Sequence, residues 1–212
     1  MYTCSLSIRA WSLGFRERMT RRKERGRPRS PEVSEGILRA AMKVMARSGY
    51  AGMSFEEVAE AGVSRPTIYL RYSGKAELAT AALASYRDRG RPDETGDTHA
   101  DLVARLWHFR RGVERPFGMA MIGSVLAEEH TTPELLMLFR ERVVEPRREE
   151  LREVLEHAQK RDELREEADA EAAVNMLVGS YYAQYLAGGS FPDDWPEAVV
   201  GTILAGLNMR EQ

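Results

Sequence analysis

The residues with the most chemical capacity lie between positions 54 and 75. Ser64, Arg65, Pro66 and Thr67 open a short segment that continues through Tyr69, Arg71 and Tyr72, while Ser54 and Lys75 stand at the starts of the segments on either side. These types suit contact with a nucleic acid: arginine can donate to guanine, threonine can meet a base edge or a thymine methyl, and proline offers apolar contact. Tyrosine hydroxyls suit phosphate, as does a lysine at a helix amino terminus, where free backbone amides assist it. Enzyme chemistry has no comparable constellation. The histidines His99, His108, His130 and His157 show no metal spacing and no H-E-x-x-H pattern, and the chain has no nucleophile elbow or phosphate loop. Glu128-Glu129-His130 reads as a helix end. The expectation is a protein that is not an enzyme and needs no metal or cofactor.

The charge distribution agrees. The net charge of −2 hides a balance of +8 over residues 1–90 and −10 over residues 91–212. A basic amino-terminal part on an acidic remainder implies that only the first faces a polyanion. The densest basic run, Arg16 to Arg29, holds eight Lys/Arg and two Glu, and Arg27 lies within it. Taken alone such a run is equally a solvated tail. As a basic arm it would add phosphate or minor-groove contacts.

The elements that must position these residues are helical almost throughout. With 212 residues, 43% hydrophobic, the chain is long enough to bury a core without staples, and its single cysteine, Cys4, suits a reducing cytoplasm. No stretch reads as a membrane span; 172–192 is interrupted by Asn175, Ser180 and Gln184. Ser30-Pro31-Glu32 predicts a helix start with a capping hydroxyl, Ile37, Ala40, Ala41, Val44 and Met45 share one face, and Gly49 stops the helix. Ser54 and Glu57 form a capping box that opens a short helix. Ala61-Gly62-Val63 makes a turn, Ser64 caps the helix from Arg65 to about Tyr72, and Lys75 begins another through Leu78, Ala82 and Tyr86. Two short helices around a tight glycine turn match a helix-turn-helix, whose second helix lies in the major groove. The competing reading of Tyr69 is core packing, and of Ser54 and Ser64 plain capping.

Several pieces at fixed spacing carry a resemblance. Arg25-Gly26-Arg27-Pro28-Arg29 precedes a helix, followed by Gly49-Tyr50-Ala51-Gly52-Met53-Ser54-Phe55-Glu56-Glu57-Val58-Ala59, Ala61-Gly62-Val63-Ser64-Arg65-Pro66-Thr67-Ile68-Tyr69 and Lys75-Ala76-Glu77-Leu78. Over about residues 25–83 the chain resembles the amino-terminal domain of TetR-type one-component transcriptional regulators. Residues 99–212 resemble that family's carboxy-terminal domain in layout only. Tyr72-Ser73-Gly74 departs from the aromatic-proline-serine run common before the lysine, and Leu70 stands where an arginine is common, removing one phosphate or base contact. The resemblance implies an all-α fold and a homodimeric repressor, cytoplasmic, released from a palindromic double-stranded operator by a small-molecule effector. The alternative is a non-specific DNA-coating protein or helical adaptor.

The expected organisation is a disordered basic extension at 1–24, a helix-turn-helix DNA-binding domain at 25–90 and a helical ligand-binding and dimerisation domain at 91–212. Residues 1–18 fit no part of the pattern. Met19-Thr20-Arg21 makes a natural beginning, so they read as a disordered extension or a misassigned start. The second part is predicted as helices at 99–112, 115–130, 132–159 with a kink at Pro146, 169–187 and 195–210. Trp107, Phe117, Met121 and Tyr181 are candidates for an apolar effector site, although an aromatic and methionine stripe is also what a plain core looks like. The last two helices each carry a large and a small apolar face, so both sides should be covered. Met176, Gly179, Ala183, Gly201 and Ala205, on the small faces, are candidates for a dimer interface; the alternative is that both helices lie at the centre of a monomer.

Overall fold

The computed structural model describes residues 30–60, 62–115 and 118–207. Arg27, the basic arm and the expected extension at 1–24 therefore lie outside the described residues, as does Phe117. Among the described residues the chain is all-α. Helix α1 (Pro31–Gly52) buries Ile37, Ala40, Ala41, Val44 and Met45, the stripe expected from the sequence. Gly49 has φ 68°, a left-handed conformation that breaks the helical path before a last turn at Tyr50–Gly52. The cap at Ser30 differs from expectation: its hydroxyl donates to the Glu32 carboxylate, and no side-chain bond reaches a backbone amide. The acid two residues on is the nearer partner for a short hydroxyl.

Helices α2 (Phe55–Glu60), α3 (Arg65–Arg71) and α4 (Lys75–Arg87) complete the amino-terminal head. Ser54 Oγ accepts the Glu57 amide at 3.1 Å, the serine half of the expected capping box; the Glu57 carboxylate does not reach back, its Oε1 accepting Arg47 Nη2 at 3.2 Å and its Oε2 having no partner. Gly62 turns the chain between α2 and α3 at φ 103°, where a side chain would be strained. Val58, Ile68 and Leu78 are completely buried and knit the short helices to α1.

The second part contains α5 (Thr98–Val113), α6 (Gly118–Ala127), α7 (Pro133–Phe139), α8 (Glu145–Lys160), α9 (Ala170–Leu186) and α10 (Trp195–Leu207). Helix α6 is shorter than predicted because the chain turns after Ala127, where Glu128 Oε2 accepts the hydroxyls of Thr131 and Thr132 at 2.6 and 3.0 Å. The single helix expected at 132–159 contains a π-helical turn, Arg140–Val144. Pro146 cannot donate to the carbonyl four residues back, and its ring crowds it. That carbonyl, of Arg142, accepts Arg87 Nη1 at 2.7 Å, so a side chain of α4 fills the place of the missing amide.

Two cores result. One packs the head helices α1–α4 against Met121, Val125, Leu135, Leu136 and Phe139 of α6 and α7. The other joins α5, α8, α9 and α10 around Leu102, Leu106, Leu155, Val174 and Leu177. Ile122 packs against both. The helices beneath the head thus belong physically to the head's own core. No described helix is long and apolar enough to cross a membrane.

Candidate nucleic-acid interface and cavity

Helix α3 presents the groups singled out from its sequence. Ser64, Arg65 and Pro66 are exposed at its amino end, with Thr67 half-buried beside them. The Ser64 hydroxyl makes no capping bond, which leaves it available to a ligand. Tyr69 is 59% exposed, its ring centre 4.9 Å from that of Phe55 in an edge-to-face contact, so it is anchored at its base and open at its hydroxyl. That hydroxyl donates to Glu56 Oε1 at 3.5 Å, and the Arg65 guanidinium lies 3.8 Å from the same oxygen. One carboxylate on α2 therefore holds both side chains of α3. Leu70 is 78% exposed, an apolar side chain on a polar surface.

The remaining members are tied more closely to the scaffold. Arg71 donates to the Ser30 carbonyl at 3.4 Å and to the Ser34 hydroxyl, linking α3 to the start of α1. Tyr72 packs on the head core, and burial pushes its pKa up. Lys75 opens α4 behind Gly74; its Nζ donates to the Ala51 carbonyl at 3.0 Å and sits 4.3 Å over the Tyr50 ring. Burial pushes its pKa down. An ammonium has three donors, so one bond to Ala51 leaves two for a phosphate. Glu77 reaches back to the amide and hydroxyl of Ser73 at 2.6 and 2.7 Å, and these bonds lower its pKa; the carboxylate thereby fixes the turn before α4.

At the other end of α4 lies a cavity of about 550 Å³. It is walled by α1 (Met42, Lys43), α4 (Leu83, Tyr86, Arg87), α5 (His108, Phe109, Gly112) and α6 (Met121, Ile122). Arg147 of α8 and Val178, Gly179 and Tyr182 of α9 close it. Of the sequence candidates Met121 lines it. Tyr181 does not: it is 1% exposed and packs among Phe109, Tyr182, Phe191 and Trp195. Trp107 also stands apart, donating to Glu197 Oε1 at 3.1 Å and so tying α5 to the start of α10. Tyr181 is buried in the second core, and Trp107 serves the link between α5 and α10. His108 Nε2 lies 2.7 Å from the Arg87 carbonyl, which can only accept, so Nε2 carries the hydrogen; burial pushes the ring's pKa down.

Sequence reasoning missed the contribution of α1 and α4 to this cavity, and it missed Arg147. The signal for Arg147 was present: it lies four residues after Val143 and four before Leu151, both buried, on the inward stripe of a helix otherwise crowded with charge. Of the candidate interface residues on α9 and α10, Met176, Ala183 and Ala205 are exposed and Gly179 and Gly201 are half-buried.

A helix-turn-helix head whose fourth helix ends in the wall of a cavity defines the architecture of a helix-turn-helix DNA-binding protein. Comparison with known proteins identifies it. Residues 37–82 match the family described as bacterial regulatory proteins, tetR family, and residues 92–203 match the tetracyclin repressor-like carboxy-terminal domain. The HTH-type transcriptional regulator YdeS of Bacillus subtilis is 30% identical over 87% of this chain and 94% of its own. A DNA-binding transcriptional repressor TetR of Mycobacteroides abscessus is 41% identical over 83 residues, 37% of this chain and 43% of its own. Among solved structures, the TetR family regulator SCO0332 superposes with a TM-score of 0.65 at 28% identity, over 83% of this chain and 98% of that one. The flavonoid-responsive regulator FrrA shares the fold at TM-score 0.64 and 20% identity, over 85% of this chain and all of that one. The chain belongs to the TetR family of helix-turn-helix transcriptional regulators.

Proposed function

We propose that the protein is a homodimeric repressor that binds a pseudo-palindromic operator through α3 and leaves it when a small molecule fills the cavity. The observation that carries this reading is the reach of α4. Its first residue, Lys75, stands beside the reading helix, and its last turns supply Leu83, Tyr86 and Arg87 to the cavity wall. A ligand that moves the far end of α4 moves the head, and two heads on one dimer then no longer match the spacing of two half-sites. Such coupling requires only that the ligand favour one arrangement over the other.

In this reading Arg65, Thr67, Pro66 and Ser64 contact bases or sugars, and Tyr69, Tyr72, Lys75 and Ser54 contact phosphate. Arg71 serves mainly to brace α3 against α1, and Arg27 adds a contact from the arm. Residues 25–90 and 91–212 act as reading and regulatory parts, and the exposed faces of α9 and α10 meet their copies in the partner. Two-fold symmetry sets half-sites about one helical turn apart, or a multiple of that. The cytoplasm, where the operator is, is the expected location.

The test is selection from a pool of random duplexes at about 150 mM salt, the physiological range. Enrichment of a pseudo-palindrome supports the dimeric reader. Binding without enrichment that vanishes as salt rises would instead indicate a DNA-coating protein.

A further inference from the structure

The charged groups that line the cavity are all of one sign. Lys43, Arg87, Arg115, Arg147 and Arg148 border it, and no aspartate or glutamate does among the described residues. Arg87 is engaged by Asp88 and the Arg142 carbonyl, and Arg148 by Glu171. Arg147 is not neutralised in this way. Its Nε is sealed from solvent with no hydrogen-bond partner, and its guanidinium carbon lies 5.0 Å from the centre of the Phe109 ring. Glu150, three residues further along α8, pairs with Arg91 at 3.4 Å. A Cβ at Gly112 would stand 3.4 Å from Arg147 Nη2, so the guanidinium rests against the bare backbone of α5. Burial pushes its pKa down, and the more distant Glu150 and Asp88 carboxylates, which form no ion pair with it, only partly offset this.

A half-buried cation whose Nε is sealed from solvent without a partner costs stability, and a hydrophobic residue of similar length would avoid the cost. Its position beside an apolar void means that a suitable anion entering the void would recover that cost as binding energy. Arginine matches carboxylate geometry with two parallel bonds, whereas a neutral ligand leaves the charge uncompensated. We propose that the effector is an organic acid, a carboxylate on an apolar body, with the carboxylate on Arg147 and the body against Phe109, Met121 and Val178. This rests on the reading of the cavity as the effector site and adds the class of ligand.

The experiment is calorimetric titration of the full chain with two acids and their neutral counterparts: decanoate against 1-decanol, and 2-naphthoate against 2-naphthamide. The pairs distinguish alkyl from aromatic bodies. At least one acid should bind about ten- to a hundredfold more tightly than its counterpart, the range of a charge-assisted hydrogen bond. Arg147→Gln should abolish that preference while still binding the neutral compound, and Arg147→Met should do the same. Retained operator affinity in both variants establishes that they are folded. Neutral compounds binding as tightly as the acids, acids that do not bind the parent, or a preference that survives Arg147→Gln would each overturn the assignment. Operator binding by the ligand-free parent is measured in the same samples. Its failure would overturn the regulator reading itself, independently of the result with acids.

Discussion

At the scale of single residues, Glu56 sets the resting state of the α3 surface. Its Oε1 holds both the Arg65 guanidinium and the Tyr69 hydroxyl, so on the proposed reading DNA takes these groups from a carboxylate that itself repels phosphate. Glu56→Gln should therefore raise affinity for all duplexes, by a fewfold at low salt and less as salt screens it, read by fluorescence anisotropy. The division between base and phosphate contacts gives a second expectation. Arg65→Ala should cost about 1–3 kcal/mol on the preferred operator and relax preference at one base pair, whereas Lys75→Ala should weaken every sequence alike and lower the salt slope by roughly one. Equal loss of specificity from the two variants would contradict that division. Both side chains could be singled out from the sequence because they follow helix starts that the sequence marks. The engagement of Lys75 with Ala51 and Tyr50 could not, since it depends on how Gly49 redirects the end of α1.

At the scale of elements, the sequence marks what is local and loses what depends on packing between distant segments. The stripe on α1, the capping bond of Ser54 and the turn at Gly62 follow from spacing and residue type, and each forms as read. The π turn before Pro146 does not, because it is stabilised by Arg87, 55 residues away from the carbonyl it meets. The cavity was only partly legible for the same reason: Met121 lines it, but Tyr181 is buried in the other core and Trp107 bonds Glu197 of α10. Arg87→Ala should destabilise the fold by about 1 kcal/mol by leaving the Arg142 carbonyl unpaired, measured by urea unfolding. In a Pro146→Ala background, where residue 146 regains an amide, the same change should cost less, and equal costs would break the link between the two residues. The segment before α5 gives a pH-dependent case. The Asp101 carboxylate is buried, which by itself raises its pKa, but it accepts the Thr95 amide and hydroxyl and the Gly96 amide at 2.8–3.1 Å, and these bonds bring the pKa below its ordinary 3.8. A lowered folded-state pKa means stability that is complete above 3.8 and lost as pH falls through the folded value. Asp101→Asn should thus destabilise at pH 7 and flatten the acid limb of a melting-temperature profile below pH 4.

At the scale of the whole molecule, charge and symmetry act together. The basic excess of residues 1–90 lies mostly before residue 30, so it suits an arm on DNA more than the head itself, and a single head with one short reading helix offers few base contacts; tight and selective binding therefore calls for two heads held at fixed separation. On the proposed two-fold reading the faces that hold them are on α9 and α10, where Met176, Ala183 and Ala205 are exposed beside Gly179 and Gly201, small residues that let helices approach closely. Ala183→Arg places a charge at the centre of that face without touching the head, the cavity lining or the buried side of α9. It should convert the dimer into a monomer in sedimentation equilibrium and weaken operator binding by at least about a hundredfold, the loss expected when two linked half-site contacts become independent. Single-head binding to non-specific duplex at low salt should persist, because the basic surface is intact. Glu156→Arg, an equally exposed change on α8, should leave the assembly unchanged. A dimer that survives Ala183→Arg would move the interface off these helices. Loss of the dimer with full operator affinity would show instead that one head suffices, and the two-fold reading of the operator would fall with it.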